Sequence, residues 1–437
     1  VLQNKEQFAM RGDQVRGENF VRAAVVYVGF GVHAPDFGYS DYEGIDVEGK
    51  IVAMFDNAPS TLPADHRAYY SSRRVKNQEI VARGAIGVIA LRSQRSVESF
   101  PWERVKQVVG KKPSMTWVDI SGAASGYFPE IAGAAYISVD TATQMMAGTP
   151  ISFEGARAAT ESDTPASVPL GIEVTLARKT THERIESPNV IGVVRGTDPE
   201  LADEYVVFSA HLDHTGIGEP VAGSTDKINN GAYDNAMGIA LMIEAARAIA
   251  AAPPRRSVMF IGLTAEEKGL LGSDYFAHYP TVPSAAIVAN VNLDMPLFLF
   301  PVSEIIGYGA EHSSLKAPMS AAAEAEGFVL VPDPLPEENF FVRSDQYSFV
   351  KKGIPASYLD VSFTSSDPDL DGEALYKDHL KNHYHKPSDD LSRPVDWDSA
   401  VRFARANARI GLAIANDDER PAWNEGDFFG EMFAPED

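Results

Sequence analysis

The chain is 437 residues long and 44% hydrophobic, which is material for two packed domains rather than one. Its formal charge of −23 argues against a nucleic-acid partner, because a phosphate backbone needs a face rich in Lys and Arg, and no apolar run is long enough to span a membrane. With zero cysteines, disulfides, Cys-ligated zinc and thiol nucleophiles are all ruled out.

The chain opens on the polar string VLQNKEQFAMRGDQ, which does not read as a signal peptide. Val1 is not an initiator Met, so a leading segment is expected to have been removed. From Arg22 to about Gly148 short strands are expected to alternate with loops and two helices. VRAAVVYVGFGV and GKIVAMFDN read as strands by their β-branched and apolar runs. SSRRVKNQEIVARG has helical spacing and ends in Gly84 as a C-cap, after which AIGVIAL reads as a buried strand. RAATESDTPASVP (157–169) is rich in Ala, Ser, Thr and Pro without periodicity, which predicts a linker and a division near residue 165.

Beyond the linker the pattern is α/β. PNVIGVVRG, EYVVFSA, RSVMFIGLT, AIVANVNLD and IPASYLD are apolar enough on both faces to be central strands of a mostly parallel sheet. Helices are expected at DNAMGIALMIEAARAIAA (stopped by Pro253–Pro254), LLGSDYFAHY, SSLKAPMSAAAEAEG and DSAVRFARANARIGLAIA. His211, Glu266 and Asp294 then fall at carboxyl ends of strands, the edge where open α/β sheets bind ligands.

Those three residues belong to five strings: SAHLDH with His211, GAYDNAMG with Asp234, TAEEKGLLGS with Glu266 and Glu267, NVNLDMP with Asp294, and HYHKPSDD with His385. Two imidazoles and several carboxylates from separate loops are what a pair of zinc ions requires. A carboxylate beside a ligand carboxylate supplies the base that an attacking water needs. Each residue alone has a plainer reading. Asp234 could cap a helix, and Glu266–Glu267 could be a charged helix start favoured by the macrodipole. HExxH, GxSxG, P-loop and strand-following GxGxxG motifs are absent from the sequence.

The five strings, in this order over about residues 170–437, resemble the co-catalytic two-zinc exopeptidases. That family includes bacterial secreted leucyl aminopeptidases, glutamate carboxypeptidases and the metal-free transferrin receptor. Through VVYVGFGVHAPDFGYSDYEGIDVEGKIV and NQEIVARGAIGVIAL, the earlier region resembles the protease-associated domain often inserted in such enzymes. The resemblance implies three segments: 1–21 as a truncated lead-in to the catalytic domain, 22–160 as a β-rich protease-associated domain, and 165–437 as the catalytic domain. It implies two zinc ions per chain, held by His211, Asp234, Glu267, Asp294 and His385, with Asp234 bridging. Glu266 is then the general base, Asp213 the carboxylate that orients His211, and Tyr384 the phenol that stabilises the oxyanion. A cis peptide between Asp234 and Asn235 is also implied.

Asp389 reads either as a carboxylate supporting this set or as a turn after Pro387. Arg343 in FFVRSDQY is a candidate substrate anchor or a partner of Asp345, and Phe340, Phe341 and Phe349 read as pocket lining or as core. His214 and His383 fall off the family's ligand positions and read as loop residues. The expected activity is that of an aminopeptidase on peptides, with a carboxypeptidase or dipeptidase, a receptor-like homologue or a glutaminyl cyclase as alternatives. A secreted or periplasmic location is expected, with protein or peptide contact through the inserted domain.

Overall fold

The computed structural model describes residues 1–109, 112–164, 167–218 and 224–434. Contacts divide the chain into two units, Val1–Ile185 and Glu186–Asp437.

The first unit is built on a six-stranded sheet ordered Phe8–Ala9, Gly133–Ile137, Gly87–Leu91, Ile51–Phe55, Glu18–Tyr27, Val168–Lys179. The four inner strands are parallel and the two outer ones antiparallel to their neighbours. Ile51–Phe55 and Gly87–Leu91 are buried along their whole length, as continuous apolar runs in a parallel sheet should be. Helices Ala64–Ser71, Arg73–Ala82, Gln94–Ser99, Trp102–Val108, Val139–Met146 and Phe153–Glu161 make the unit more helical than expected.

The expected domain limits are displaced. Phe8–Ala9 and Glu18–Phe20 lie in this first sheet, so residues 1–21 are part of the first unit and not a lead-in to the second. Residues 157–161 are helical, 165–166 lie outside the described residues, and Val168–Lys179 forms an edge strand along Glu18–Tyr27. The apolar alternation of Leu170, Ile172, Val174 and Leu176 was the signal for that strand; Ser, Thr and Pro upstream of it obscured the pattern.

The second unit holds a seven-stranded sheet ordered Val329–Val331, Glu304–Tyr308, Ala356–Val361, Ile287–Asn292, Tyr205–His211, Ser257–Leu263, Val190–Val194. Ala356–Val361, Ile287–Asn292, Tyr205–His211 and Ser257–Leu263 form the parallel centre. Val190–Val194, expected as a central strand, is instead an antiparallel edge with three of its five residues exposed. From Tyr205–His211 the chain goes first to Ser257–Leu263 on one side and then to Ile287–Asn292 on the other. The carboxyl end of Tyr205–His211 is therefore a topological switch point, where α/β sheets open a crevice for ligands. Helices Gly238–Ala251 and Trp397–Asn416 pack on one face through Leu241, Ala245, Ile249, Phe403, Ile410 and Ile414, all in the largest core cluster.

Candidate metal centre

The site grows from three adjacent strand ends. His211 closes its strand, Glu266 and Glu267 follow Leu263, and Asp294 follows Asn292 by two residues. Asp234 comes from the turn before helix Gly238–Ala251, and His385 from the loop after helix Gly372–Asn382. The Asp234–Asn235 peptide is cis. Three non-glycine residues border the cluster in the left-handed region: Ala265 (φ +57°), Met295 (φ +41°) and His385 itself (φ +58°). Such strain persists where surrounding structure over-determines the backbone, commonly at functional sites.

Two groups of ligand-type side chains form, sharing one residue. His211, Asp234 and Asp294 make the first; His214, Asp234, Glu267 and His385 make the second. Within each, one ligand atom per residue lies within 4.8 Å of all the others. His211 Nε2 is 3.2 Å from Asp234 Oδ1 and 3.2 Å from Asp294 Oδ1. His385 Nε2 is 3.1 Å from Asp234 Oδ2 and 3.1 Å from Glu267 Oε2. Ligands bonded tetrahedrally at 2.0–2.1 Å stand about 3.3 Å apart, so these spacings match the edges of a zinc polyhedron. Asp234 turns one oxygen to each group.

His214 lies nearer the second group than the sequence suggests. It reads as a loop histidine in the sequence, yet its Nδ1 is 2.8 Å from Glu267 Oε1 and 3.7 Å from Asp234 Oδ2. Among the described residues, neither His214 nitrogen has hydrogen-bond geometry to any partner, nor do Glu267 Oε1 and His385 Nε2, although all four atoms are buried. Buried polar atoms that converge without hydrogen bonds suit a cation at their centre. The signal was in HLDH, where a second imidazole stands three residues after the first. Gly231, at φ +66°, lies so close that a Cβ there would meet His214 and the Asp234 carbonyl at 2.8 and 2.4 Å.

Electrostatics agree. Burial pulls His211 down, but Asp294 and Asp234 outweigh it and hold its pKa well above the ordinary imidazole range. His385 follows the same logic: burial lowers it, then Asp234 and Glu267 lift it to about 9. Burial raises Asp234 and Glu267, yet the imidazoles hold both below the usual carboxylate range. Glu266 differs. Burial, then repulsion from Asp294, raises its pKa well above normal, with Asp345 and Glu267 adding to the effect. Asp345, almost fully buried, is itself raised to about 7 by burial. Carboxylates outnumber imidazoles here, so the chain offers a concentrated negative site for divalent cations.

The supporting residues differ in part from expectation. The Asp213 main-chain carbonyl accepts the His211 Nδ1–H at 2.9 Å, which fixes the tautomer with Nε2 facing the site. Asp213's carboxylate is 4.0 Å from that ring and instead accepts the Glu266 N–H at 3.0 Å. Asp389 accepts the Tyr233 and Asp234 N–H groups at 3.0 and 3.1 Å, holding the loop that carries the shared aspartate. A chain of buried hydrogen bonds missed in the sequence runs to Asp294. Asn290 donates to Ser209 (2.9 Å), Ser209 to Asn292 (2.7 Å), Asn292 to Ser344 (3.0 Å), and Ser344 to the Asp294 carboxylate.

Tyr384 stacks on His385 with ring centroids 3.8 Å apart, and its phenol is held protonated by burial and by the carboxylates of the site. Arg343 does not join the cluster: its guanidinium lies 3.6 Å from Glu338 and over the Phe340 ring at 5.3 Å. Phe349 is core, Phe341 is buried, and His383 turns to Ser388 at 2.9 Å.

A switch-point crevice lined by two ligand groups that share Asp234 suits a pair of divalent cations. The profile of Peptidase family M28 matches residues 189–410, half of the chain, and all the ligand-type residues above lie within that span. The chain belongs to Peptidase family M28. It is 32% identical over 118 residues to a probable zinc metalloprotease of Pyrenophora teres f. teres, covering 26% of this chain and 24% of that one. It is 32% identical over 110 residues to aminopeptidase YwaD of Bacillus subtilis, covering 25% and 22%. The chain thus spans about a quarter of the length of these curated relatives. Among solved structures, an aminopeptidase from Aneurinibacillus sp. strain AM-1 aligns over 95% of this chain and 81% of its own, at 19% identity and a TM-score of 0.46.

Proposed function

We propose that the chain is a zinc-dependent aminopeptidase with two zinc ions per chain, removing N-terminal residues from peptides. The observation that carries this reading is the position of Asp234, one oxygen toward His211 and the other toward His385, each within one of the two ligand groups. His211, Asp234 and Asp294 would hold one zinc; Asp234, Glu267, His385 and His214 the other. Zinc, when bound, polarises the scissile carbonyl and lowers the pKa of water to about 7.

The chain's own residues do the rest. Glu266 takes the proton of the attacking water as the new C–O bond forms and holds it until the C–N bond breaks. The proton then passes to the departing amine. The Tyr384 hydroxyl donates to the carbonyl oxygen as it gains charge, an effect worth roughly 3–4 kcal/mol per donor in other enzymes. The carboxylate excess attracts a free α-ammonium, and the engagement of Arg343 with Glu338 and Phe340 speaks against a carboxylate anchor at that residue.

Glu186–Asp437 would be the catalytic unit. The first unit would be a protease-associated domain making protein or peptide contacts, and the location secreted or periplasmic, both on the sequence resemblance; no helix among the described residues is long and apolar enough to cross a membrane. A panel of aminoacyl-anilides and their N-acetyl derivatives tests the activity. Cleavage of free aminoacyl substrates, abolished by acetylation, supports the reading. Cleavage of blocked peptides with a free C-terminus instead would make the chain a carboxypeptidase.

A further inference from the structure

The first unit contains a cavity of about 310 Å³ that no step above uses. It lies at the carboxyl ends of the parallel strands Ile51–Phe55 and Gly87–Leu91, where Asp56 and Arg92 immediately follow the last strand residues. That edge is the favoured ligand position of a parallel sheet, and the volume sits at the small end of the roughly 300–1,000 Å³ typical of ligand sites.

Its charge is unusual for a chain of net −23. Arg11 and Arg92 line the cavity, and Arg73 reaches the lining residue Tyr136, donating to its hydroxyl with the guanidinium 4.6 Å from the ring centroid. Lys76 is buried just beneath, held by the Phe55 and Asn57 carbonyls at 2.9 and 2.6 Å. Against these cations the lining offers one carboxylate, Asp56, which already accepts from Ser96 at 2.6 Å. Arg92 is spent on the Ser96 and Phe100 carbonyls. Arg11 is exposed and makes no side-chain hydrogen bond or ion pair among the described residues. Arg73 is exposed as well, and its charge and that of Arg11 repel each other. The lining also includes the apolar side chains of Phe100, Val105 and Val109.

We propose that this cavity binds a small organic carboxylate with an apolar body, its carboxylate between Arg11 and Arg73 and its hydrocarbon against Phe100 and Val105. The guanidinium fork matches a carboxylate in two parallel hydrogen bonds, and an anion there relieves the repulsion between the two arginines. The site is independent of the peptidase reading, since every residue in it belongs to the first unit.

The test is calorimetric titration of the full chain with 4-methylpentanoate, before and after zinc chelation, with 4-methylpentanamide and inorganic phosphate as comparisons. Binding of one molecule per chain should survive chelation and weaken at least tenfold in Arg11→Gln and in Arg73→Gln, and the amide should not bind. Circular dichroism checks the fold of both variants. Arg11→Gln removes no contact that holds the fold, so it decides the matter if Arg73→Gln misfolds. No binding, binding lost on chelation, equal affinity in Arg11→Gln, or tighter binding of phosphate would each overturn the proposal.

Discussion

His214 Nδ1 lies 2.8 Å from Glu267 Oε1, with neither atom in hydrogen-bond geometry. If both atoms are ligands of one cation, His214→Ala removes a donor from the second group alone. The variant should bind its second zinc at least tenfold more weakly while the first stays tight, since even supporting residues of metal sites are worth 10–100-fold. Zinc titration with a competing chelator reads this directly. Affinities equal to wild type would return His214 to the loop.

Glu266 is predicted to act in the chemistry without holding metal. Glu266→Gln keeps the size of the side chain and removes its basicity. Zinc content and melting temperature should match wild type, while kcat falls by about 10²–10⁴, the usual worth of a positioned acid–base group. Near-normal turnover on a free aminoacyl-anilide would remove Glu266 as the base.

Asp389 is fully buried and spends both oxygens on the backbone of the Asp234 loop. Asp389→Ala leaves two buried N–H groups unpaired, at a cost of about 1–3 kcal/mol each. Lower urea stability should come with weaker binding of both zincs, because the loop carries the ligand they share. Loss of stability with zinc affinity unchanged would separate Asp389 from the site.

Much of this was legible because the chemistry-bearing residues sit in short strings at strand ends. The continuous apolar runs before His211, Glu266 and Asp294 announced central parallel strands, and all three are buried on both faces. Val190–Val194 carries the same apolar letters but ends as an exposed edge, because local composition cannot report how many neighbours a strand will have. His214 was lost for a related reason. Its place beside Glu267 and His385 is set by segments that arrive from elsewhere in the chain. The hydrogen-bonded run from Asn290 to Asp294 crosses three segments and has no periodic signature.

His379 gives a pH prediction away from the ligands. Its ring is fully buried, neither nitrogen has a hydrogen-bond partner among the described residues, and it meets Tyr233 edge-on at 5.4 Å. Burial lowers its pKa to about 4, with Arg393 and His383 adding to the shift. Between that value and the unfolded value near 6.5, the unfolded chain binds more protons than the folded one, so stability from this group falls as pH drops from about 6.5 to 4. The loss amounts to roughly 3 kcal/mol. His379→Leu should lose less stability than wild type across that window in urea unfolding. Parallel curves for the two proteins would contradict it.

Zinc stoichiometry tests the central claim most directly. The purified chain, saturated with zinc and then freed of excess by dialysis, should retain two zinc ions per chain, because Asp234 offers one oxygen to each of two ligand groups. A value of one or less after saturation would contradict the account.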